Sequence, residues 1–166
     1  MVGLAEQPQN AAANDLHGEF LRSLQLIDRV HRRLLDVVED EMERAGNTEI
    51  NGVQALLLFH IGAGSSTAGA LKDSAMFAGA NVSYNLKKLT ELDLVTQTRS
   101  RVDRRQVQLR LSSKGTVIAE RIRALFERQA TALEPTASVR RDDLATMNRT
   151  AQRLEQFWTD HVRFRL

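Results

Sequence analysis

Residues 81–115 read NVSYNLKKLTELDLVTQTRSRVDRRQVQLRLSSKG, and the period of their apolar side chains changes part-way along. At first Val82, Leu86 and Leu89 recur at spacings of four and three, one face of a helix over about 81–92. The rest of that helix is polar, with Asn81, Ser83, Tyr84, Asn85, Lys87 and Lys88. Further on, Gln106-Val107-Gln108-Leu109-Arg110-Leu111 alternates strictly, as a half-buried strand does. Val95, Gln97 and Arg99 supply an earlier strand. The two strands flank Ser100 to Arg105, so the segment predicts a helix followed by a β-hairpin with a charged tip. Ser112 or Ser113 then caps another helix running to about Leu133, with Ile118, Ile122, Leu125 and Leu133 inward, and Pro135 closes that region.

Working outward, Asn51 caps a helix to about Ile61, and Thr67 caps a shorter one to about Ala75. Met76-Phe77-Ala78-Gly79 turns the chain into the helix at 81. Two short helices joined by a tight turn make a helix-turn-helix. Gly62-Ala63-Gly64-Ser65-Ser66-Thr67 lacks the Lys-Ser/Thr ending and preceding strand of a phosphate loop and reads as a simple turn. Between Asp15 and Ala45, Leu16, Phe20, Leu24, Ile27, Leu34, Leu35, Val38 and Met42 keep helical spacing. Thirty such residues make a helix about 45 Å long, more than a small lobe covers, so a partner chain is expected along it. Gly46-Asn47 ends it. From about Asp142 to Phe164 a last helix repeats Leu144, Met147, Ala151, Leu154, Trp158 and His161 at an average near 3.5 residues, a helix-pairing seam. The expected fold is mainly α with a small β-hairpin. It divides into a mobile tail (1–14), an N-terminal dimerisation helix (15–50), a winged helix-turn-helix lobe (51–112) and C-terminal dimerisation helices (113–166).

The chain has 166 residues, 42% hydrophobic and 27% charged, with no cysteine and a formal net charge of +2. The absent cysteine excludes disulfides and thiolate metal sites. The small net charge conceals a segregation. Residues 1–50 carry −5, residues 51–86 are neutral, residues 87–114 carry +5 and the remainder +2. The acidic run Asp36, Glu39, Asp40, Glu41 and Glu43 reads as a solvated helix face, one that also repels DNA from the wrong side. The basic segment coincides with the helix and hairpin, where a polyanion would meet it. His17, His31, His60 and His161 show no i,i+4 pairing typical of a metal site, and no nucleophile–base pair, carboxylate pair or cofactor motif is visible. Neither a targeting signal nor a membrane span is apparent, so a cytoplasmic protein is expected.

An α-helix fits the roughly 12 Å major groove of DNA, where a polar face must offer donors and acceptors to base edges. Asn81, Ser83, Tyr84, Asn85, Lys87 and Lys88 supply these, Tyr84 serving equally well as a contact or as a half-packed ring. Arg99, Arg101, Arg104 and Arg105 on the hairpin suit the phosphate backbone and the minor groove. Asp103, set among arginines, fits a charge-assisted pair that holds Arg105.

Asp103-Arg104-Arg105, then Val107 to Ser112 and Gly115, resembles the wing signature of the MarR family of bacterial winged-helix transcriptional regulators, and Asn81 to Leu89 sits where that family has its recognition helix. The resemblance extends over about 15–166. It implies a homodimer on a pseudo-palindromic double-stranded operator, usually a repressor, often released by a small apolar or phenolic ligand, and nucleoid-associated. It also implies that Asp103 supports Arg105 in the minor groove, and that Phe59 and His60 lie near a ligand crevice. Ala70, Val102 and Met76 depart from the family pattern where Glu, Pro and Gly are common, none at a DNA-facing position. The alternative is a winged-helix protein-interaction module.

Overall fold

The computed structural model describes residues 8–62, 64, 67–73, 81–99 and 106–165. Among these the elements are α1 (Pro8–Arg44), α2 (Gly52–Gly62), α3 (Ala68–Asp73), α4 (Asn81–Glu91), β1 (Val95–Arg99), β2 (Val107–Leu111), α5 (Ser113–Ala137) and α6 (Arg141–Phe164). They form two compact units, one through Ile122 and one from Arg123.

In the first unit, α1 starts earlier than the tail assigned to 1–14 allows, because residues 8–14 are already helical. Pro8 tolerates the first helical position, where its missing N–H would find no partner anyway, and Ala11-Ala12-Ala13 are the strongest helix formers. At its other end Gly46 takes φ +71° while Asn47 N–H donates to Met42 O at 2.9 Å, the left-handed stop expected of Gly46-Asn47. Only the last third of the stripe is covered within the chain. Val38 and Met42 are buried, whereas Leu16, Ile27 and Val30 are more than half exposed.

Helix α2 is the axis of this unit, apolar nearly all round with Ala55 to Leu58 buried in succession. Asn51 caps it as expected, its Oδ1 accepting Gln54 N–H at 2.9 Å while Gln54 Oε1 accepts Asn51 N–H at 3.1 Å. The next free N–H, that of Gly52, donates to Glu39 Oε1 on α1 at 3.0 Å. A side chain at Gly52 would meet Leu35 O at 3.0 Å, so the close approach of α1 and α2 uses a residue without one. Two members of the acidic run are therefore structural rather than merely solvated: Glu39 caps α2, and the largely buried Glu41 pairs with Arg121 of α5 at 3.4 Å.

Thr67 caps α3, its Oγ1 accepting Ala70 N–H at 3.1 Å, and also forms an antiparallel bridge to Gln108 of β2. Residues 74–80, with the expected turn at Met76 to Gly79, lie outside the described residues. Helix α4 buries Val82, Leu86 and Leu89 against the lobe. It ends in a Schellman turn in which Leu94 N–H donates to Leu89 O at 2.9 Å and Asp93 sits at φ +57°. Aspartate tolerates that region less well than glycine. Asp93→Gly is therefore expected to stabilise the fold by about 0.5–1 kcal/mol, seen as a melting temperature roughly 1–4 °C higher. An unchanged or lower value would show that the turn carries no strain.

β1 and β2 pair antiparallel with Val95 opposite Leu111, Gln97 opposite Leu109 and Arg99 opposite Val107. The alternation read from the sequence puts Leu109 in the core and Arg110 in solvent. Ser112, rather than Ser113, is the cap of α5: its Oγ accepts Gly115 N–H at 3.1 Å and donates to Asp93 O at 2.7 Å. Leu94 O accepts Ser112 N–H at 3.0 Å. A Cβ built on Gly115 would lie 2.1 Å from that same Leu94 oxygen.

In the second unit α5 does not stop before Pro135 but carries it inside its last turns, ending at Ala137 with Ser138 at φ +55°. So near the end of a helix, proline forfeits a single backbone bond. Helix α6 opens with Arg140 N–H donating to Asp143 Oδ2 at 2.9 Å. It is amphipathic, yet none of its residues is buried in the single chain. Met147 of the expected seam is well exposed, as are Phe157, Val162 and Phe164.

Candidate nucleic-acid interface

Two faces of α4 separate cleanly. Asn81, Ser83, Tyr84, Lys87 and Lys88 are exposed, opposite the buried Val82, Leu86 and Leu89. Tyr84 is 60% exposed, so its ring stands in solvent rather than packing at the rim.

Asn85 departs from the sequence reading. It is 6% exposed, accepting Gln54 Nε2–H at 3.1 Å and donating from Nδ2 to Asn81 O at 2.9 Å. Both ends of the amide are engaged inside the lobe, so in this conformation Asn85 does not present itself to a base edge. Asn85 lies three residues after Val82 and four before Leu89, which sets it on the inner stripe with them, and its polarity disguises that. Its partner Gln54 was missed altogether. The Asn-x-x-Gln spacing at 51–54 was a readable capping signal, but a contact 31 residues along the chain was not.

Glu91, by contrast, makes local pairs within α4. Its Oε2 accepts Lys88 Nζ at 2.9 Å and its Oε1 lies 3.8 Å from Lys87 Nζ. The hydrogen bond to Glu91 raises the Lys88 pKa, and the same bond lowers that of Glu91. The i+3 and i+4 spacings were legible as helix pairs.

The hairpin is tied to α4 through Gln97, whose Nε2 donates to Thr90 Oγ1 at 2.9 Å and to Leu86 O at 3.3 Å. Arg99, the last residue of β1, is exposed. Arg101, Asp103, Arg104 and Arg105 lie outside the described residues. On α2, Phe59 and His60 are half-buried with ring centroids 5.5 Å apart, edge to face, and burial lowers the His60 pKa. Among the described residues no three His, Asp or Glu side chains gather as a metal site, and no helix is long and apolar enough to cross a membrane.

A family model described as a winged helix DNA-binding domain matches residues 50–115. The exopolysaccharide II synthesis transcriptional activator ExpG of Rhizobium meliloti strain 1021 is 31% identical over 145 residues, spanning 87% of this chain and 74% of that one. Among solved structures, FabT of Streptococcus pneumoniae in complex with DNA is similar with a TM-score of 0.65 at 20% identity, over 85% of this chain and 98% of that one. A mutant of MarR from Escherichia coli complexed with operator DNA gives a TM-score of 0.64 at 21% identity, over 84% and 97%. At these identities the two structures bear on the fold.

Proposed function

This chain belongs to the MarR family of winged-helix transcriptional regulators, and from that premise we propose how its own residues bind DNA. It acts as a homodimeric, sequence-specific regulator on a pseudo-palindromic operator. The observation that carries the reading is the polar row of α4, with Asn81, Ser83, Tyr84, Lys87 and Lys88 outward from a helix whose other face is locked into the lobe. Laid in the major groove, such a row offers the Asn81 amide to adenine and lysines to guanine or phosphate. Arg99, Arg101, Arg104 and Arg105 follow the backbone from the hairpin, Asp103 holding Arg105 for the minor groove.

Pairing of two chains is supported by the apolar stripe of α1 and the exposed Met147, Phe157 and Val162 of α6. For two recognition helices to enter successive major grooves, pairing must set them about 34 Å apart. A small apolar or phenolic ligand beside Phe59 and His60 releases the DNA only as far as it prefers the unbound conformation. The relative ExpG is named a transcriptional activator, so the fold alone does not set the sign of regulation. The protein's place of work is the cytoplasm, on the nucleoid.

Affinity for its own upstream DNA tests the reading directly. With about six to ten phosphates neutralised, it should fall roughly 10³–10⁵-fold between 50 and 200 mM salt. Arg105→Ala should weaken binding, and Asp103→Ala should do so by freeing Arg105. Wild-type behaviour of both variants would remove the wing from the interface. Absence of binding at low salt would favour a protein-interaction module.

A further inference from the structure

We propose that Glu91 is a specificity-determining residue of the DNA-binding surface: in the free protein its carboxylate holds Lys88 and Lys87 against the end of α4, so that they reach phosphate only by exchanging one anion for another. This rests on α4 being the recognition helix. Each carboxylate oxygen takes one lysine, Oε2 taking Lys88 at 2.9 Å and Oε1 facing Lys87 at 3.8 Å. All three side chains are between 45% and 76% exposed. Exposed pairs of this kind do little for stability. The position is also adverse for an acid, because the negative end of the helix dipole lies in its last turn, where Lys88 is the favoured charge. A carboxylate there is better explained by what it does to the lysines than by what it does for the fold.

The consequence falls unequally on the two kinds of DNA. Random duplex is bound almost wholly through phosphate, and each cation withheld is a counterion not released. Operator binding adds base contacts from Asn81, Ser83 and Tyr84, which Glu91 does not engage. Damping the phosphate attraction therefore lowers affinity everywhere but costs random DNA the larger share, and the ratio between the two rises.

The test uses the full-length protein with the charge of Glu91 removed at constant size, Glu91→Gln. Dissociation constants are measured on an upstream operator fragment and on a random duplex of equal length between 50 and 200 mM salt. Random duplex is expected to bind about three- to ten-fold tighter at 50 mM, with the slope of log affinity against log salt steeper by about one, and the operator-to-random ratio to fall. Unchanged affinities and slopes, with the wild type still binding operator, would overturn the proposal alone. A wild type that binds neither duplex at 50 mM would overturn the recognition-helix reading beneath it. In a Lys87→Gln, Lys88→Gln background, Glu91→Gln is expected to change binding by less than about two-fold, since one pair of phosphate contacts has gone. A full gain there would mean that Glu91 repels DNA itself and does not act through the lysines.

Discussion

Gly115→Ala is expected to destabilise the protein by about 3 kcal/mol or more and to lower its melting temperature by roughly 6–12 °C. A methyl group at that position would be placed 2.1 Å from Leu94 O, far inside van der Waals contact, and the obstacle is backbone rather than a side chain that can swing away. Relief requires the first turn of α5 to retreat from the turn after α4. That retreat pulls on Ser112, whose N–H donates to the same Leu94 oxygen and whose hydroxyl bridges Asp93 O to Gly115 N–H. One methyl therefore strains three hydrogen bonds that fasten the hairpin and α5 to the end of α4. Urea unfolding measures the effect, and a loss below about 1 kcal/mol would mean that the junction yields far more easily than its geometry implies.

Replacing Asn85 with leucine is expected to cost about 1–3 kcal/mol, because Gln54 Nε2 would be left buried without an acceptor. Gln54→Leu should cost a similar amount. The double variant should lose less than the sum by about 1 kcal/mol or more, since with both amides gone neither is left buried without the other. Strict additivity would show that the two amides do not depend on each other. Operator discrimination should behave differently. Asn81→Ala is expected to reduce it by about 1–3 kcal/mol if its amide pairs with a base, with little effect on stability because its side chain is exposed.

Local information sufficed for much of this fold. The switch of period between Leu89 and Val107, and the caps at Asn51 and Thr67, follow from residues within a turn or two of each other, and α2, α4, β1 and β2 appear where those signals put them. What the sequence hid is non-local. Nothing near Glu39 indicates that it will cap a helix 13 residues away, and nothing near Asn85 says that its amide faces a glutamine 31 residues earlier. Charge and polarity predict exposure, which is right for Lys87 and wrong for Asn85, because burial of an amide depends on whether a partner is waiting. Pro135 by its own chemistry predicts a stop, although a helix near its end can lose a bond and continue. The glycine at 115 was visible as part of a signature, while the carbonyl oxygen that demands it came only from tertiary packing.

The hydrogen-bonded seat of α4 bears on how such a regulator diversifies. On the side facing α2 it is built from two neutral amides and one backbone carbonyl, that of Asn81, and uses no side chain from the outward row. On the proposed reading, in which the exposed Asn81, Ser83, Tyr84, Lys87 and Lys88 meet DNA, they can be exchanged without disturbing the socket that aims them. Having no net charge, the socket should also keep its aim as ionic strength varies, even while the grip on phosphate loosens. On that reading, swapping major-groove preference should need changes at the outward positions of α4, with Gln54 and Asn85 left as the fixed mount.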